Sequence, residues 1–167
     1  PQDGGEVVVI ISPYDDDIRE LQEELDHSVV PFGKKDQQEE VVRKMSERKS
    51  APSSTQVENS KYYAKRAKKE VVTGGGDLLA DVKNGAVKLD AVSATELPEE
   101  LQSMDSAERA AWVEKKLQAR GKLEKKMEAL IAKRDAYVAG QGKMTSQAGN
   151  LDSFDRAVEE TIKVQVR

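Results

Sequence analysis

Hydrophobic residues recur with helical spacing from Asp105 to Gly140, and this stretch predicts one long α-helix. Asp105 and Glu108 form a capping pair at its start, and Gly140 and Gly142 supply its predicted end. About 36 residues at 1.5 Å each make a rod of about 54 Å. Its buried face is the candidate helix-packing interface and comprises Val113, Leu117, Leu123, Met127, Leu130 and Tyr137.

The two parts of this stripe are out of phase across Ala119 to Gly121. Because Gly in a helix interior costs roughly 1 kcal/mol relative to Ala, Gly121 predicts a bend or a change of packing partner. A single heptad seam along the whole rod is therefore not expected. The stripe needs a cover, which is either the segment from Lys34 to Glu70 or the same helix of a second copy.

Further helices are predicted on both sides of the rod, and Pro52 separates two of them. The segments are the stretch after Ser12 with Ile18, Leu21 and Leu25 on its buried face, Lys34 to Ser50, Gln56 to Glu70, Leu78 to Lys83, Leu97 to Leu101, and a last helix opened by Asp152 or Ser153 that carries Phe154, Val158 and Ile162.

Two short runs favour β-strands. Val7 to Ile11 is a β-branched run with the length of a buried strand, and Val29 to Phe32 is a second run that Pro31 weakens. Since a strand must pair its backbone groups, either the two runs pair with each other or their partner strands belong to a longer protein.

Together these patterns predict a mainly α fold: an elongated helical hairpin or small bundle around one long helix, about 105–140, with one or two short N-terminal strands. The chain divides into a strand–helix–strand unit (1–33), charged helices with a short helical connector (34–104), the long helix (105–142), and a linker with a C-terminal helix (143–167).

Composition narrows the possible functions. Charged residues make up 35% of the chain and aromatic residues 4%, which indicates much surface and a modest core. The 27 basic and 31 acidic residues are mixed along the helices, so no phosphate-binding face is indicated and nucleic acid is not an expected partner. No stretch approaches the roughly 20 apolar residues of a membrane span. Because the first residue is Pro1, we expect a processed chain or a fragment.

Cysteine is absent, so neither disulfides nor thiolate chemistry is available. His27 is the only histidine, and a position at a helix end is favoured over catalysis. The acidic triplet Asp15 to Asp17 could hold a metal ion, but consecutive helical carboxylates point in different directions, which favours a role at the positive end of the helix dipole. The sequence therefore predicts no catalytic, cofactor-binding or metal-ligating residue, and no small-molecule substrate is evident.

Two other features are ambiguous. Gly74 to Gly76 could cradle a phosphate, but the Lys and Ser/Thr of a P-loop are missing, so we expect a flexible turn with Asp77 capping the next helix. The basic cluster Lys65, Arg66, Lys68 and Lys69 could bind an anion, although a solvated helix end is favoured.

Several segments, in their order along the chain, resemble the C-terminal region of bacterial von Willebrand factor type A (vWA) domain proteins. The most specific pieces are GDLLADVKNGAVKLD, LPEEL, ERAAWVEKK and KRDAYVA. The resemblance implies that residues 1–33 are the end of a vWA-like domain and that a helical extension follows. The metal-site motif Asp-x-Ser-x-Ser of that family is absent from the chain.

The resemblance implies a non-catalytic module that supports a vWA domain or contacts a protein partner, with self-association as another option. It also favours export to the periplasm or the cell exterior. The alternative is an enzyme of unfamiliar type that uses carboxylate pairs such as Asp15/Asp17 or Glu99/Glu100.

Overall fold

The structure is a computed structural model that describes residues 10–66, 71–72 and 74–149, with side chains up to residue 141. The described part contains six α-helices: α1 (Asp15–His27), α2 (Lys35–Lys49), α3 (Ser53–Ala64), α4 (Leu78–Lys83), α5 (Glu99–Gln102) and α6 (Ser106–Gly149). Two short 3₁₀ turns lie between α4 and α5. The predicted mainly helical fold is confirmed.

Helix boundaries follow local chemistry. Pro52 and Pro98 occupy the positions immediately before α3 and α5, where a missing N–H is tolerated. Asp105 Oδ1 accepts the Glu108 N–H at 2.8 Å at the start of α6. Ser12 Oγ donates to Asp15 Oδ1 at 2.5 Å and so ties the chain before α1 to its first turn.

The core consists of two clusters of buried apolar residues along α6. The first, which we call the α1 cluster, contains Ile18, Leu21, Leu25, Val29, Val41, Val57, Val71, Val72, Met127 and Ile131. The second, the α4 cluster, contains Leu78, Leu79, Leu97, Leu101 and Val113. Helices α1 and α3 pack on α6 and on each other, and α4 packs on α6. One helix therefore supplies residues to both cores.

The predicted N-terminal strands are not supported. Val29 to Phe32 forms only an isolated bridge between Pro31 and Asp77, because Pro31 has no N–H with which to extend a ladder. Ile10 and Ile11 lie outside any strand, and the rest of the Val7 to Ile11 run lies outside the described residues. No strand occurs within residues 10–66, 71–72 and 74–149.

Helix α6 continues past its predicted end, to Gly149. Gly140 is not among the glycines with positive φ, so the left-handed conformation that ends a helix is not adopted there. At 1.5 Å per residue the helix is about 66 Å long. The predicted C-terminal helix of residues 152–166 lies outside the described residues.

The change of packing partner expected at Gly121 is observed. Val113 belongs to the α4 cluster, whereas Met127 and Ile131 belong to the α1 cluster. A Cβ added to Gly121 would meet nothing within 4 Å, so the change does not depend on close approach of another chain segment to the glycine.

α6 carries one line of buried residues across the change of packing partner, over residues 113–134 and not along the whole helix. Buried residues recur every seven positions at Val113, Arg120, Met127 and Arg134, which is one line of a heptad pattern. Two of these four residues are arginines, so the pattern of hydrophobic residues alone does not reveal this buried seam. The apolar stripe inferred from the sequence follows this seam only in part.

Candidate functional site

The six residues predicted as a packing interface lie within the fold. Val113 and Met127 are buried, and Leu117, Leu123, Leu130 and Tyr137 are partly buried. The principal cover of the C-terminal part is α1, which the sequence had not indicated, with a smaller contribution from α3. This stripe holds the chain together and is not an open surface for a partner.

Arg120 lies at the point where the two clusters meet. Its Nη1 donates to Asp77 Oδ2 at 2.5 Å, and its Nη2 donates to Asp77 Oδ1 at 3.3 Å. Its Nε donates to Ser28 Oγ at 2.9 Å, and Nη2 also donates to the Ser28 carbonyl at 2.7 Å. Both charged side chains are almost completely buried, at 2% and 1% exposure. Arg120 thus joins α6 to the chain after α1 and to the start of α4.

Asp77 does not cap α4 with its side chain as predicted, because its oxygens are used elsewhere. Oδ1 accepts the Val30 N–H at 3.0 Å, while the Leu78 N–H donates to the Val30 carbonyl at 2.8 Å. The preceding residues, Gly74 to Gly76, all have positive φ, which lets the chain turn tightly into this position. The three glycines therefore form a turn that places Asp77 within hydrogen-bond distance of Arg120.

Arg134 is the second arginine of the seam. Its Nε donates to Asp15 Oδ1 at 3.1 Å, and its Nη2 lies 3.1 Å from Glu58 Oε1. Only 7% of its side chain is exposed. Asp15, the first acid of the triplet, therefore binds Arg134 and fixes α1 to α6. This ion pair explains the position of Asp15 without a metal ion.

Other ion pairs also join helices. Arg48 Nη2 lies 2.7 Å from Asp26 Oδ1 and connects α2 to α1. Asp135 on α6 lies 3.1 Å from Lys61 Nζ and 2.8 Å from Lys65 Nζ. Burial alone would raise the pKa of Asp135, but hydrogen bonds from Lys65 and Lys61 outweigh it and hold the pKa below its ordinary value.

The residues considered for catalysis do not converge. His27 lies in the last turn of α1 and is exposed, as expected of a helix-end histidine. Glu100 Oε1 accepts a hydrogen bond from Trp112 Nε1 at 3.3 Å. Among the described residues no group of three or more His, Cys, Asp or Glu could hold a metal ion. No helix in the described ranges is long and apolar enough to cross a membrane.

A groove of about 690 Å³ lies between α2 and α6, and we call it the Trp112 groove. Its apolar lining is Val29, Val30, Pro31, Val42, Pro98 and Trp112, and its polar lining includes Lys35, Gln38, Glu39, Glu100 and Lys116. Val42 is 55% exposed, and the Lys116 ammonium lies 5.4 Å from the centre of the Trp112 ring. The groove thus combines an apolar floor with a charged rim.

A sequence signal for this groove existed. Val41 and Val42 are adjacent on α2, as are Trp112 and Val113 on α6. Neighbouring residues on a helix point about 100° apart, so one member of such a pair can be buried while the other reaches a different surface. Val41 and Val113 are buried, whereas Val42 is exposed and Trp112, which also packs partly on the α4 cluster, lines the groove.

A second cavity, of about 390 Å³, lies over α1. Its charged lining is mostly paired: Asp16 with Arg19, Glu23 with Lys49, and Asp26 with Arg48. The Lys49 hydrogen bond holds the pKa of Glu23 below its ordinary value. These contacts pair most of the charged side chains of the cavity with one another, although Glu20 is in none of the ion pairs of the described residues and Arg19 Nε is buried without a hydrogen-bond partner.

Comparison with known proteins gives no neighbour for this architecture: no family model, no curated protein and no solved structure matches the chain.

Proposed function

We propose that the chain is a non-catalytic protein-interaction module whose partner docks in the Trp112 groove. The observation that carries the proposal is the apolar floor of the groove, which combines a large aromatic ring with the exposed Val42 side chain. Trp is enriched among the residues that dominate binding energies, and apolar pockets with a polar rim are typical of protein interfaces. The resemblance to the extension of vWA domain proteins supports the same class of function.

The groove stays open because the buried side of α2 faces the α1 cluster and not the groove. Val41 enters the α1 cluster, and α2 has no extensive contact with α6. The face of α2 that carries Lys35, Gln38, Glu39 and Val42 has spacings of three and four residues and forms one wall. A partner segment can therefore lie between two helices without displacing any part of the core.

The partner is recognised through side chains rather than by adding a strand. The Val30 N–H and carbonyl are already bonded to Asp77 and Leu78, and Pro31 offers no N–H. Lys35 and Lys116 on the rim suit acidic side chains, whereas Glu39 and Glu100 suit basic ones. We expect a short segment with one large apolar anchor flanked by charges.

The test is a selection of displayed random peptides against the chain, with the Val42→Asp variant for counter-selection. Selected peptides should change the fluorescence of Trp112, which is the only tryptophan, and should bind Val42→Asp at least about tenfold more weakly. Because Val42 is exposed, this variant keeps the core intact.

Gln118→Asp is the matched control, since Gln118 is exposed on α6 and does not line the groove. Selected peptides should bind this variant as they bind the unmodified chain. Peptides that bind Val42→Asp equally well and leave Trp112 emission unchanged would place the interaction elsewhere, and a selection that enriches nothing would refute the proposal.

A further inference from the structure

One face of α6 carries a line of positive charge. Lys115, Lys122, Lys126 and Lys133 lie within about 40° of one another when each residue advances about 100° around the helix. All four are exposed, and we call them the lysine row. The row spans 18 residues, or about 27 Å, on the side of α6 away from the buried seam. Charges that look mixed along the sequence are therefore separated on the helix surface.

The four lysines of the row form no ion pair with any other described residue. Ala119, Ala129 and Ala136 lie beside them and are exposed, whereas the nearby aromatic side chains of Trp112 and Tyr137 are partly buried. With no fully exposed aromatic side chain beside the lysines, this face has little to insert into a bilayer or to stack on a base. Small side chains do allow another helix to approach closely.

The exposed side of α1 carries the opposite charge. Asp17, Glu20 and Glu24 are exposed and belong to none of the ion pairs of the described residues, and we call them the acidic row. Glu20 and Glu24 are four residues apart, as are Lys122 and Lys126, so both spacings are about 6 Å. Asp17 and Glu24 are seven residues apart, which matches the spacing of about 10.5 Å from Lys115 to Lys122.

The two rows cannot meet within one chain. α1 packs its apolar side, which includes Leu21 and Leu25, on α6 near Met127 and Ile131. The lysine row lies on the far side of α6 from those two residues. The complementary surfaces are thus held apart by the same packing that builds the core.

We propose that the lysine row of one copy docks on the acidic row of a second copy. This contact is independent of the Trp112 groove, since none of the seven residues of the two rows lines it. Because it joins two different surfaces, it is a heterologous contact, and repetition of it builds open chains of molecules rather than a closed dimer. Exposed ion pairs are individually weak and are screened by salt, so association should be weak and strongly salt-dependent.

The test is sedimentation of the full chain at high protein concentration. At about 50 mM salt the weight-average mass should rise with concentration to roughly twice the 18.4 kDa of one copy, and at about 500 mM salt it should return to that of one copy. The double variant Lys122→Glu/Lys126→Glu should remain monomeric at both salt concentrations. So should Glu20→Lys/Glu24→Lys.

A mixture of those two double variants provides the decisive measurement, because the charges then complement each other between the two proteins. The mixture should recover the salt-sensitive association that each variant lacks. Lys83→Glu/Lys88→Glu is the control, because it makes the same charge change at two exposed lysines outside the row. This variant should associate almost as strongly as the unmodified chain. Circular dichroism verifies that each variant is folded.

Several outcomes would overturn the inference. A chain that stays monomeric at low salt would do so, as would a mixture of the double variants that fails to associate. Binding of the monomeric chain to phosphatidylserine vesicles or to DNA, when lost in Lys122→Glu/Lys126→Glu, would assign the lysine row to a different polyanion. None of these results bears on the peptide selection at the Trp112 groove, so the two proposals fail separately.

Discussion

The buried pair of Asp77 and Arg120 allows a quantitative test of what holds α6 in place. We consider Asp77→Asn, Arg120→Met and the double variant. Asp77→Asn keeps an oxygen that can accept the Val30 N–H but removes the charge, and Arg120→Met removes the guanidinium but fills much of its volume. Asp77→Asn therefore removes mainly a charge, whereas Arg120→Met removes a charge together with the hydrogen bonds to Ser28.

Either single change leaves the other charge buried without its counter-ion. Since both side chains are at most 2% exposed, each should lower the free energy of unfolding by about 3–5 kcal/mol. The double variant has no buried charge and loses mainly the bonds from Arg120 to Ser28, so we expect a cost of about 1–2 kcal/mol. The double variant should be more stable than either single variant.

The assay is denaturant unfolding followed by circular dichroism at 222 nm, with linear extrapolation to water. Arg120→Lys keeps the charge but loses the planar fork, and it should lie between the unmodified chain and Arg120→Met. The exposed pair Glu23 and Lys49 is the control, and the same cycle of changes there should show little coupling. Additive costs at Asp77 and Arg120, within about 0.5 kcal/mol, would refute the reasoning.

Three further predictions concern glycines and pH. Gly121→Ala should stabilise the chain by about 0.5–1 kcal/mol in the same assay, because the added methyl group meets nothing; a loss of stability would show that the glycine is needed. Gly76→Ala should lower the melting temperature, because φ is +99° there and the methyl group would collide with Val41; an unchanged melting temperature would contradict this. Because the pKa of Asp135 is lowered in the folded chain, its ion pairs with Lys61 and Lys65 contribute their full stability at pH values above the ordinary pKa of 3.8. This contribution is lost as the pH falls through the lower pKa of the folded state. Asp135→Asn should therefore make stability less dependent on pH in acid, and an unchanged acid dependence would exclude the pair as a cause.

The sequence predicted the helices well where apolar spacing and turn chemistry agreed. α4 was predicted with its observed bounds, from Asp77 at one end and Asn84 with Gly85 at the other. α2 and the start of α6 were also predicted to within a residue or so. These features depend on residues close in sequence, so no tertiary contact is needed to infer them.

The sequence failed where a charged residue occupies a core position. Neither Arg120 nor Arg134 was predicted to lie in the core, because the burial of each depends on an acid far away in sequence, Asp77 or Asp15. A pattern of hydrophobic residues cannot show such pairs, since each side chain is stable in the core only when its partner is present. α1 was not identified as the cover of α6 because the spacing of Ile18, Leu21 and Leu25 predicts a buried face but not the helix on which that face packs.

The end of α6 was missed for a different reason. Gly140 was assigned as a stop, but glycine stops a helix only when the backbone takes the left-handed conformation, and nothing at this position requires it. The Trp112 groove was not predicted, because its lining comes from segments far apart in sequence, including α2 and α6, and only their tertiary packing brings these residues together.

The arrangement of the two clusters has a consequence for the order of folding. The buried residues of the α4 cluster lie between Leu78 and Val113, whereas those of the α1 cluster extend from Ile18 to Ile131. Short-range contacts form before long-range ones, so the α4 cluster can form first around the beginning of α6. On the ribosome α1 is made well before the part of α6 that covers it. α3 can begin to cover Ile18, Leu21 and Leu25 soon after it is made, but the part of their cover that α6 supplies comes more than a hundred residues later in synthesis. In that interval the incomplete core of the nascent chain is open to aggregation or to capture by a chaperone.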